Sequence, residues 1–461
     1  MNYAEFLARK RIVAPPRGIE PVMPINSMLF EFQRDIVTWA LRRGRAAICA
    51  DCGLGKTPMS IEWATHVREH TGGRVLILTP LAVASQFVRE GAKFGVSVTH
   101  ARDDSELSDG ISVTNYERMH LFDLSQFAGV VADESSILKD YTSKTRNAII
   151  DGFRETPFRL ACTATPSPND FTELGNHAEF LGVMTRTEML SMFFAHDGGS
   201  TQDWRLKGHA KGDFWRWLAS WAVAIKRPSD IGYSDDGYDL PPLNTHQIVV
   251  QSSIGPEQGE MFTRDARTLS EQRAARKASL SDRVAKAAEI VNAEPDEPWL
   301  VWCDRNDESA ALIAAISGAV EVKGSDSSEH KERSIAGFTS GDVRVLVSKP
   351  SIAGWGVNWQ HCARVVFVGL SHSFEAYYQA IRRTWRFGQA RPVECYVVTS
   401  SQEGAVVESL SRKQADAETL TASMAEHMRY LTRAELAATS RTEDAYDPTV
   451  EMTVPSWVGV E

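Results

Sequence analysis

A short glycine-rich segment, residues 50–57 (ADCGLGKT), combines residue types that can hold phosphate groups. It follows an apolar run and precedes a helix-period stretch, which is the strand–loop–helix setting of a phosphate loop. Gly53 and Gly55 would let backbone N–H groups approach phosphate oxygens, at the positive end of the following helix. Lys56 would reach the β- and γ-phosphates, and the Thr57 hydroxyl would coordinate Mg²⁺. The segment therefore predicts a site for ATP and Mg²⁺, although alanine occupies the usual first glycine position.

An acidic pair, Asp133 and Glu134, ends a second apolar run, residues 129–134 (GVVADE). A phosphate loop needs a carboxylate on a neighbouring strand to hold the metal, and we predict that Asp133 does so, usually through water. Glu134 would orient and deprotonate the attacking water as a general base. Taken alone, such a pair is more often a solvated turn. Its functional interpretation depends on the phosphate loop.

The elements that must position these residues follow an alternating pattern of apolar runs and helix-period stretches. One such helix is predicted at residues 57–70, where Met59, Trp63 and Val67 share a face. Continuous apolar strands alternating with helices indicate parallel sheets covered on both faces. The predicted strands form two groups, at residues 45–50, 74–80, 111–116, 129–134 and 159–166, and at 299–304, 343–348, 364–370 and 394–399. We therefore predict an α/β protein with two RecA-like lobes.

The expected division of the chain has five parts. Residues 1–25 form an N-terminal extension, 26–184 the first ATP-binding lobe, 185–242 a helical insertion and linker, 243–415 the second lobe, and 416–461 a C-terminal helix and tail. Aromatic residues crowd into 214–221 (FWRWLASW), within the expected insertion. Core packing and base stacking are both open explanations for them.

In the first lobe, several segments resemble the Swi/Snf-related branch of helicase superfamily two, in the family's order. The resemblance implies that Gln33 reads the adenine edge. It also implies that residues 79–80 (TP) and 114–117 (TNYE) contact a nucleic-acid backbone, and that residues 163–166 (TATP) couple hydrolysis to lobe movement. Taken singly, each of these polar turns is more often a plain strand-end cap.

In the second lobe, residues 354–359 (GWGVNW) resemble the family's glycine-rich motif and place Gly356 at the nucleotide. Residues 379–389 (QAIRRTWRFGQ) are the most specific match. Arg383 and Arg386 are three apart, so we expect them on one helix face. The resemblance implies that both reach across the cleft to the γ-phosphate; a solvated or phosphate-binding helix is the alternative.

Two departures from the family pattern stand out. The acidic motif is DESS rather than DEAH or DEAD, which removes a residue that usually helps couple the lobes. Arg382 stands where the family has glycine. The chain also lacks the long insertions of large chromatin remodelers, so it is similar to compact bacterial or bacteriophage members.

Composition limits the possible partners. The chain has 461 residues and a net charge of −10, with 43% hydrophobic residues. This acidic balance argues against broad coating of nucleic acid but permits a local basic cleft.

No apolar run is long enough to span a bilayer, and the first residues lack a secretory apolar core, so we expect a cytoplasmic protein. The six cysteines suit reduced thiols better than disulfides, and the lone C-x-x-C at Cys49 and Cys52 lacks further ligands for zinc.

These features together predict a nucleic-acid-dependent ATPase that moves on DNA with low sequence specificity, and duplex DNA is the expected track. A strand-separating DNA or RNA helicase is the main alternative. A nucleotide-binding scaffold that has lost hydrolysis is a second alternative, of another class. Nothing in the sequence identifies a protein partner or requires more than a monomer.

Overall fold

The computed structural model describes residues 13–168, 170–196, 204–251, 274, 276–353, 358–370, 373–403, 412, 419, 422–434 and 436. Within them, two parallel sheets are flanked by helices. The first sheet has seven strands in the order β3-β4-β2-β5-β6-β1-β9. Its strands are β1 (Arg45–Ala50), β2 (Arg74–Thr79), β3 (Val98–His100), β4 (Ile111–Asn115), β5 (Phe127–Asp133), β6 (Phe158–Thr163) and β9 (Ala222–Ile225).

The second sheet has six strands in the order β10-β15-β14-β11-β13-β12, all parallel. These strands are β10 (Leu243–Val250), β11 (Trp299–Cys303), β12 (Ala319–Val322), β13 (Val345–Ser348), β14 (Arg364–Val368) and β15 (Val393–Ser400). A short hairpin, β7 (Phe194–His196) and β8 (Trp204–Leu206), stands apart from both sheets. The predicted fold class, two RecA-like lobes of parallel sheet and helix, is confirmed.

Helices cover both faces of each sheet, because the central strands are mostly apolar and buried on both faces. Two buried clusters flank the first sheet and two flank the second. In the first lobe the helices are α1 (Glu31–Arg43), α2 (Lys56–Thr71), α3 (Ala84–Lys93), α4 (Lys144–Gly152), α5 (Leu174–Phe180), α6 (Arg186–Phe193) and α7 (Lys211–Ala219). In the second they are α8 (Leu280–Ala293), α9 (Asn306–Ala315), α10 (Ser328–Ser340), α11 (Pro350–Ala353) and α12 (Phe374–Ile381).

Strand order corrects one expectation about the acidic pair. β6 lies between β1 and β5, so Asp133 is not on the strand next to the phosphate loop. Both segments nevertheless begin at carboxyl ends of parallel strands, which meet at one edge of the sheet. That edge is where α/β proteins bind ligands.

The segment at residues 185–242 packs closely on the first sheet. Its helix α7 carries the crowded aromatic residues, and Phe214, Trp215, Trp217 and Trp221 are all buried in one core cluster. Core packing therefore explains them. β9 then pairs in parallel with β1 at the edge of the sheet.

A helix at residues 422–434, α13, returns to this same part of the first lobe. Met424 and Met428 are buried in the core cluster that contains Trp215. The rings of His427 and Trp215 stack at 5.0 Å between centroids, and Arg429 forms an ion pair with Asp230. The chain thus contacts the first lobe again after the second sheet is complete.

None of the helices in these ranges combines the length and apolar character needed to cross a bilayer. The expected domain bounds remain a proposal.

Candidate functional site

The phosphate loop connects β1 to α2 through two left-handed glycines. Gly53 has φ 92° and Gly55 has φ 82°, values that side chains other than glycine rarely adopt. Gly55 is also the residue immediately before α2. The Lys56 ammonium donates to the carbonyl of Ala50 at 2.9 Å and to that of Asp51 at 3.4 Å. A cation is therefore held directly over the loop, at the amino end of a helix.

Gln33 fastens this loop to α1. Its side-chain amide nitrogen donates to the carbonyl of Leu54 at 2.9 Å, and its oxygen accepts from the backbone N–H of Phe30 at 3.0 Å. A Cβ on Gly55 would lie 2.2 Å from that amide nitrogen, so glycine is required for this approach. An amide has a second N–H and a second lone pair. These two contacts therefore leave one donor and one acceptor of the Gln33 amide unused.

Asp133 is buried at the end of β5 and is held by two hydroxyl-bearing residues. The Thr79 hydroxyl donates to its carboxylate at 2.9 Å, and the Tyr116 hydroxyl donates to its backbone carbonyl. Burial, with the adjacent Glu134 charge, raises the pKa of Asp133 to about 7. Because Thr79 is completely buried, its hydroxyl serves this carboxylate and is not presented at the surface. The sequence had suggested a nucleic-acid contact for it.

Glu134 occupies an unusual backbone conformation. With φ 52° and ψ 52°, it is the single left-handed residue other than glycine in the described ranges. Such a conformation costs about 1–3 kcal/mol and persists only where the surroundings impose it. Its Oε2 is buried and has no hydrogen-bond partner among the described residues. The turn thus presents a carboxylate oxygen ready to accept a proton.

The arginine segment of the second lobe does not form the expected helix face. α12 ends at Ile381, and Arg383 and Arg386 lie in the turns that follow. Beyond the helix, the Arg383 carbonyl accepts from the backbone N–H of Trp359 at 2.9 Å, which holds these turns against the segment before β14. Gln389 donates its side-chain amide to the Thr384 carbonyl at 3.2 Å.

The two arginines consequently have different surroundings. Arg383 is buried, and its guanidinium donates to the backbone and side-chain oxygens of Gln379 at 2.9 and 2.8 Å. The Arg386 side chain faces the first lobe, within electrostatic range of Cys52 and Glu134. Burial, with the nearby Arg383 charge, lowers the pKa of Arg386 to about 10. Its buried Nε has no partner in the part of the chain described, so its position suits an anion.

Three sets of contacts join the lobes beside this site. Tyr378 and Arg382 both bind the Asp51 carboxylate within the phosphate loop. Phe387 packs against Gly53 so closely that a Cβ on that glycine would lie 2.8 Å from the Phe387 Cβ. A third contact is the ion pair of Lys139 with Glu375.

Aromatic rings extend the same junction towards Gln33. Phe387 lies 4.8 Å from Tyr238 and 6.4 Å from Phe30, between ring centroids. Tyr238 comes from the segment between the sheets, so these rings join both lobes and their connection.

Thr57 and Gly356 are the remaining predicted site residues. Thr57 is the second residue of α2, directly after Lys56. Gly356 lies outside the described residues. Across the ranges described, no three histidine, cysteine, aspartate or glutamate side chains are grouped to hold a metal ion. Any cation here would therefore depend on Asp133, a hydroxyl and phosphate oxygens.

Comparison with known families identifies the second lobe. Residues 282–388 match the helicase conserved C-terminal domain, and this range includes Arg382, Arg383 and Arg386. The chain therefore carries the C-terminal domain of helicase superfamilies one and two. No curated protein matches the chain.

Proposed function

We propose that the protein is a nucleic-acid-dependent ATPase that moves along duplex DNA. The observation that carries this proposal is the meeting of the phosphate loop of one lobe with the arginine segment of the other. A nucleotide bound there would contact both lobes, so its binding and hydrolysis would close and release them. A small-molecule kinase would not need a second lobe that carries arginines.

In this proposal the first lobe binds the phosphates and activates water. Gly53, Gly55 and Lys56 hold the β- and γ-phosphates, and Gln33 contacts the adenine. Mg²⁺, held by the Thr57 hydroxyl and by Asp133, would neutralise phosphate charge. These residues fit that group, because an acidic and a hydroxyl side chain are placed beside Lys56 and the buried Glu134 oxygen is unpartnered.

The chemistry is the displacement of ADP by water. Glu134 accepts a proton from water as the water oxygen bonds to the γ-phosphorus, and the bond between that phosphorus and the ADP oxygen breaks. Arg386 stabilises the negative charge that develops on the transferring group. Arg383 adds positive charge near the same group, although its guanidinium already donates to two oxygens of Gln379.

DNA, as duplex, is the proposed track. The Swi/Snf-related resemblance supports duplex DNA, because members of that branch often move along duplexes without separating strands. Contacts to the phosphate backbone carry little sequence information, so specificity should be low. Strand separation on DNA or RNA is the competing outcome.

ATP turnover tests the proposal directly. It is measured without polymer and with single-stranded DNA, duplex DNA or RNA, using Lys56→Ala as a blank that should lose about 100-fold or more. We expect duplex DNA to stimulate most. If none of the polymers stimulates ATP turnover, the proposal of a motor is refuted.

The type of movement needs a second assay. Displacement of a third strand from a triplex without separation of the duplex supports a translocase. Separation of the duplex itself would identify a strand-separating helicase instead.

A further inference from the structure

Asp51 connects three parts of the molecule through its backbone and side chain. Its backbone N–H donates to the carbonyl of Ile225 at the end of β9, at 3.0 Å. Its own carbonyl accepts from Lys56 at 3.4 Å. Asp51 thereby fixes the start of the phosphate loop to the sheet and contributes to holding the lysine.

Two side chains of the second lobe donate hydrogen bonds to the Asp51 carboxylate. The Tyr378 hydroxyl donates to one carboxylate oxygen at 2.6 Å, and the Arg382 guanidinium donates to the other. The first oxygen also accepts from the backbone N–H of Cys52 at 2.6 Å. We call the Asp51, Tyr378 and Arg382 side chains the interlobe clasp.

The clasp is enclosed rather than exposed to solvent. The Arg382 side chain is 4% exposed and that of Asp51 is 23% exposed. The guanidinium also lies 5.5 Å from the centre of the Tyr378 ring and 5.0 Å from that of Trp385, within the range of cation–π attraction. Although burial alone would raise it, Arg382 and Tyr378 hold the pKa of Asp51 below its ordinary value. The carboxylate is therefore ionised, and breaking the pair would leave an uncompensated buried charge.

The position of the clasp determines what it can do. Arg382 immediately precedes Arg383 and lies four residues before Arg386, while Asp51 lies five residues before Lys56. Fixing Asp51 to Arg382 therefore fixes the phosphate loop relative to the arginine segment. The Arg382 side chain stands where the family pattern that this chain resembles has glycine, which could not form this pair.

We propose that Asp51 and Arg382 are positioning residues that hold the two halves of the ATP site together before nucleic acid binds. This inference rests on the proposed function. Without the clasp, nucleic acid would have to bring the two lobes together. In this protein the clasp already holds them partly closed. The intact protein should consequently turn over ATP without polymer, and the stimulation by DNA should be small.

Steady-state ATP turnover of Arg382→Ala and Asp51→Asn tests the inference. Without polymer, kcat should fall about tenfold or more, because small misplacements of catalytic groups are costly. The KM for ATP should change less, because Lys56 and both loop glycines remain. Saturating duplex DNA should restore much of the lost kcat, so the ratio of stimulated to unstimulated turnover should rise.

Two further variants separate positioning from general damage. Arg382→Lys keeps the charge opposite Asp51 and should recover part of the unstimulated kcat. Arg391→Ala removes an ion pair with Glu297 within the second lobe, 2.9 Å long, and should leave both rates unchanged. Near-ultraviolet circular dichroism checks that each variant is folded.

Small-angle X-ray scattering without nucleotide gives a readout that does not depend on activity. Loss of the clasp should increase the radius of gyration, and Arg391→Ala should not. Unchanged scattering and unchanged unstimulated kcat in Arg382→Ala and Asp51→Asn would overturn the inference. If the unaltered protein shows no polymer-stimulated turnover, the proposed function fails, while scattering still decides whether the clasp holds the lobes together.

Discussion

Gly53 offers the sharpest test of the contact between the lobes. Gly53→Ala introduces two costs, one in the backbone and one across the cleft. Because φ is 92°, an alanine there should lose about 1 kcal/mol of folding free energy. The new Cβ would also lie 2.8 Å from the Phe387 Cβ and 3.0 Å from its backbone nitrogen. Restoring an ordinary 3.4 Å contact to that Cβ needs 3.4 − 2.8 = 0.6 Å of movement.

Gly341→Ala is the matched control, because it has the same backbone cost without the contact. Gly341 has φ 90°, and no heavy atom of the described residues lies within 4 Å of an added Cβ. Urea unfolding should show the backbone loss of about 1 kcal/mol for both variants, and any excess for Gly53→Ala reports the contact with Phe387. ATP turnover should separate them: we expect kcat to fall about tenfold or more for Gly53→Ala only.

A double variant identifies the cause of that fall. Phe387→Gly removes the Cβ that the new alanine would meet, so Gly53→Ala combined with Phe387→Gly should regain kcat relative to Gly53→Ala alone. If Gly53→Ala behaves like Gly341→Ala, or if the double variant regains nothing, the reasoning about the lobe contact is wrong.

Three more predictions follow from the site and its surroundings. Glu134→Gln should lower kcat by about 100-fold or more while a fluorescent ATP analogue still binds. Comparable losses of kcat and of affinity for the analogue would contradict the general-base role. Arg386→Ala should reduce kcat much more than nucleotide affinity, whereas equal losses would argue against contact with the developing charge. Burial lowers the pKa of His177 to about 4, so the contribution of this residue to stability should be fully present above pH 6.5 and decline as the pH falls towards 4. The raised pKa of Asp133 acts in the opposite direction over this range, so the test is the difference in unfolding free energy between the unaltered protein and His177→Gln. Urea unfolding should show that this difference changes by about 2 kcal/mol between pH 7 and pH 5; an unchanged difference would exclude a lowered His177 pKa.

Apolar strand runs made the fold predictable from sequence. The central strands of both sheets are buried on both faces and mostly apolar, with Arg159 in β6 as an exception, so their pattern is strong. β3, β9 and β12 have only three or four residues, too few to establish a period. β9 also follows an aromatic helix, which suggested an insertion. Only packing on β1 shows that it extends the first sheet.

The candidate site was predictable to the extent that its residues lie in local motifs. Residues of the phosphate loop and the acidic pair are near one another in sequence and carry their chemistry in their spacing. The partners of Asp51 are 327 and 331 residues away, and no local pattern selects them. The turns after α12 also bind a distant group, since the Arg383 carbonyl accepts from the N–H of Trp359, which the helix period cannot reveal.

The return of α13 to the first lobe has a mechanical consequence. The chain enters the second lobe from β9 and the segment after it, and beyond β15 it is anchored again by Met424, Met428 and Arg429. The second lobe is therefore attached at both ends of its chain rather than at one. A body attached at two points turns mainly about the line that joins them. If ATP closes and reopens the lobes as proposed, each cycle should repeat one rotation about a nearly fixed axis.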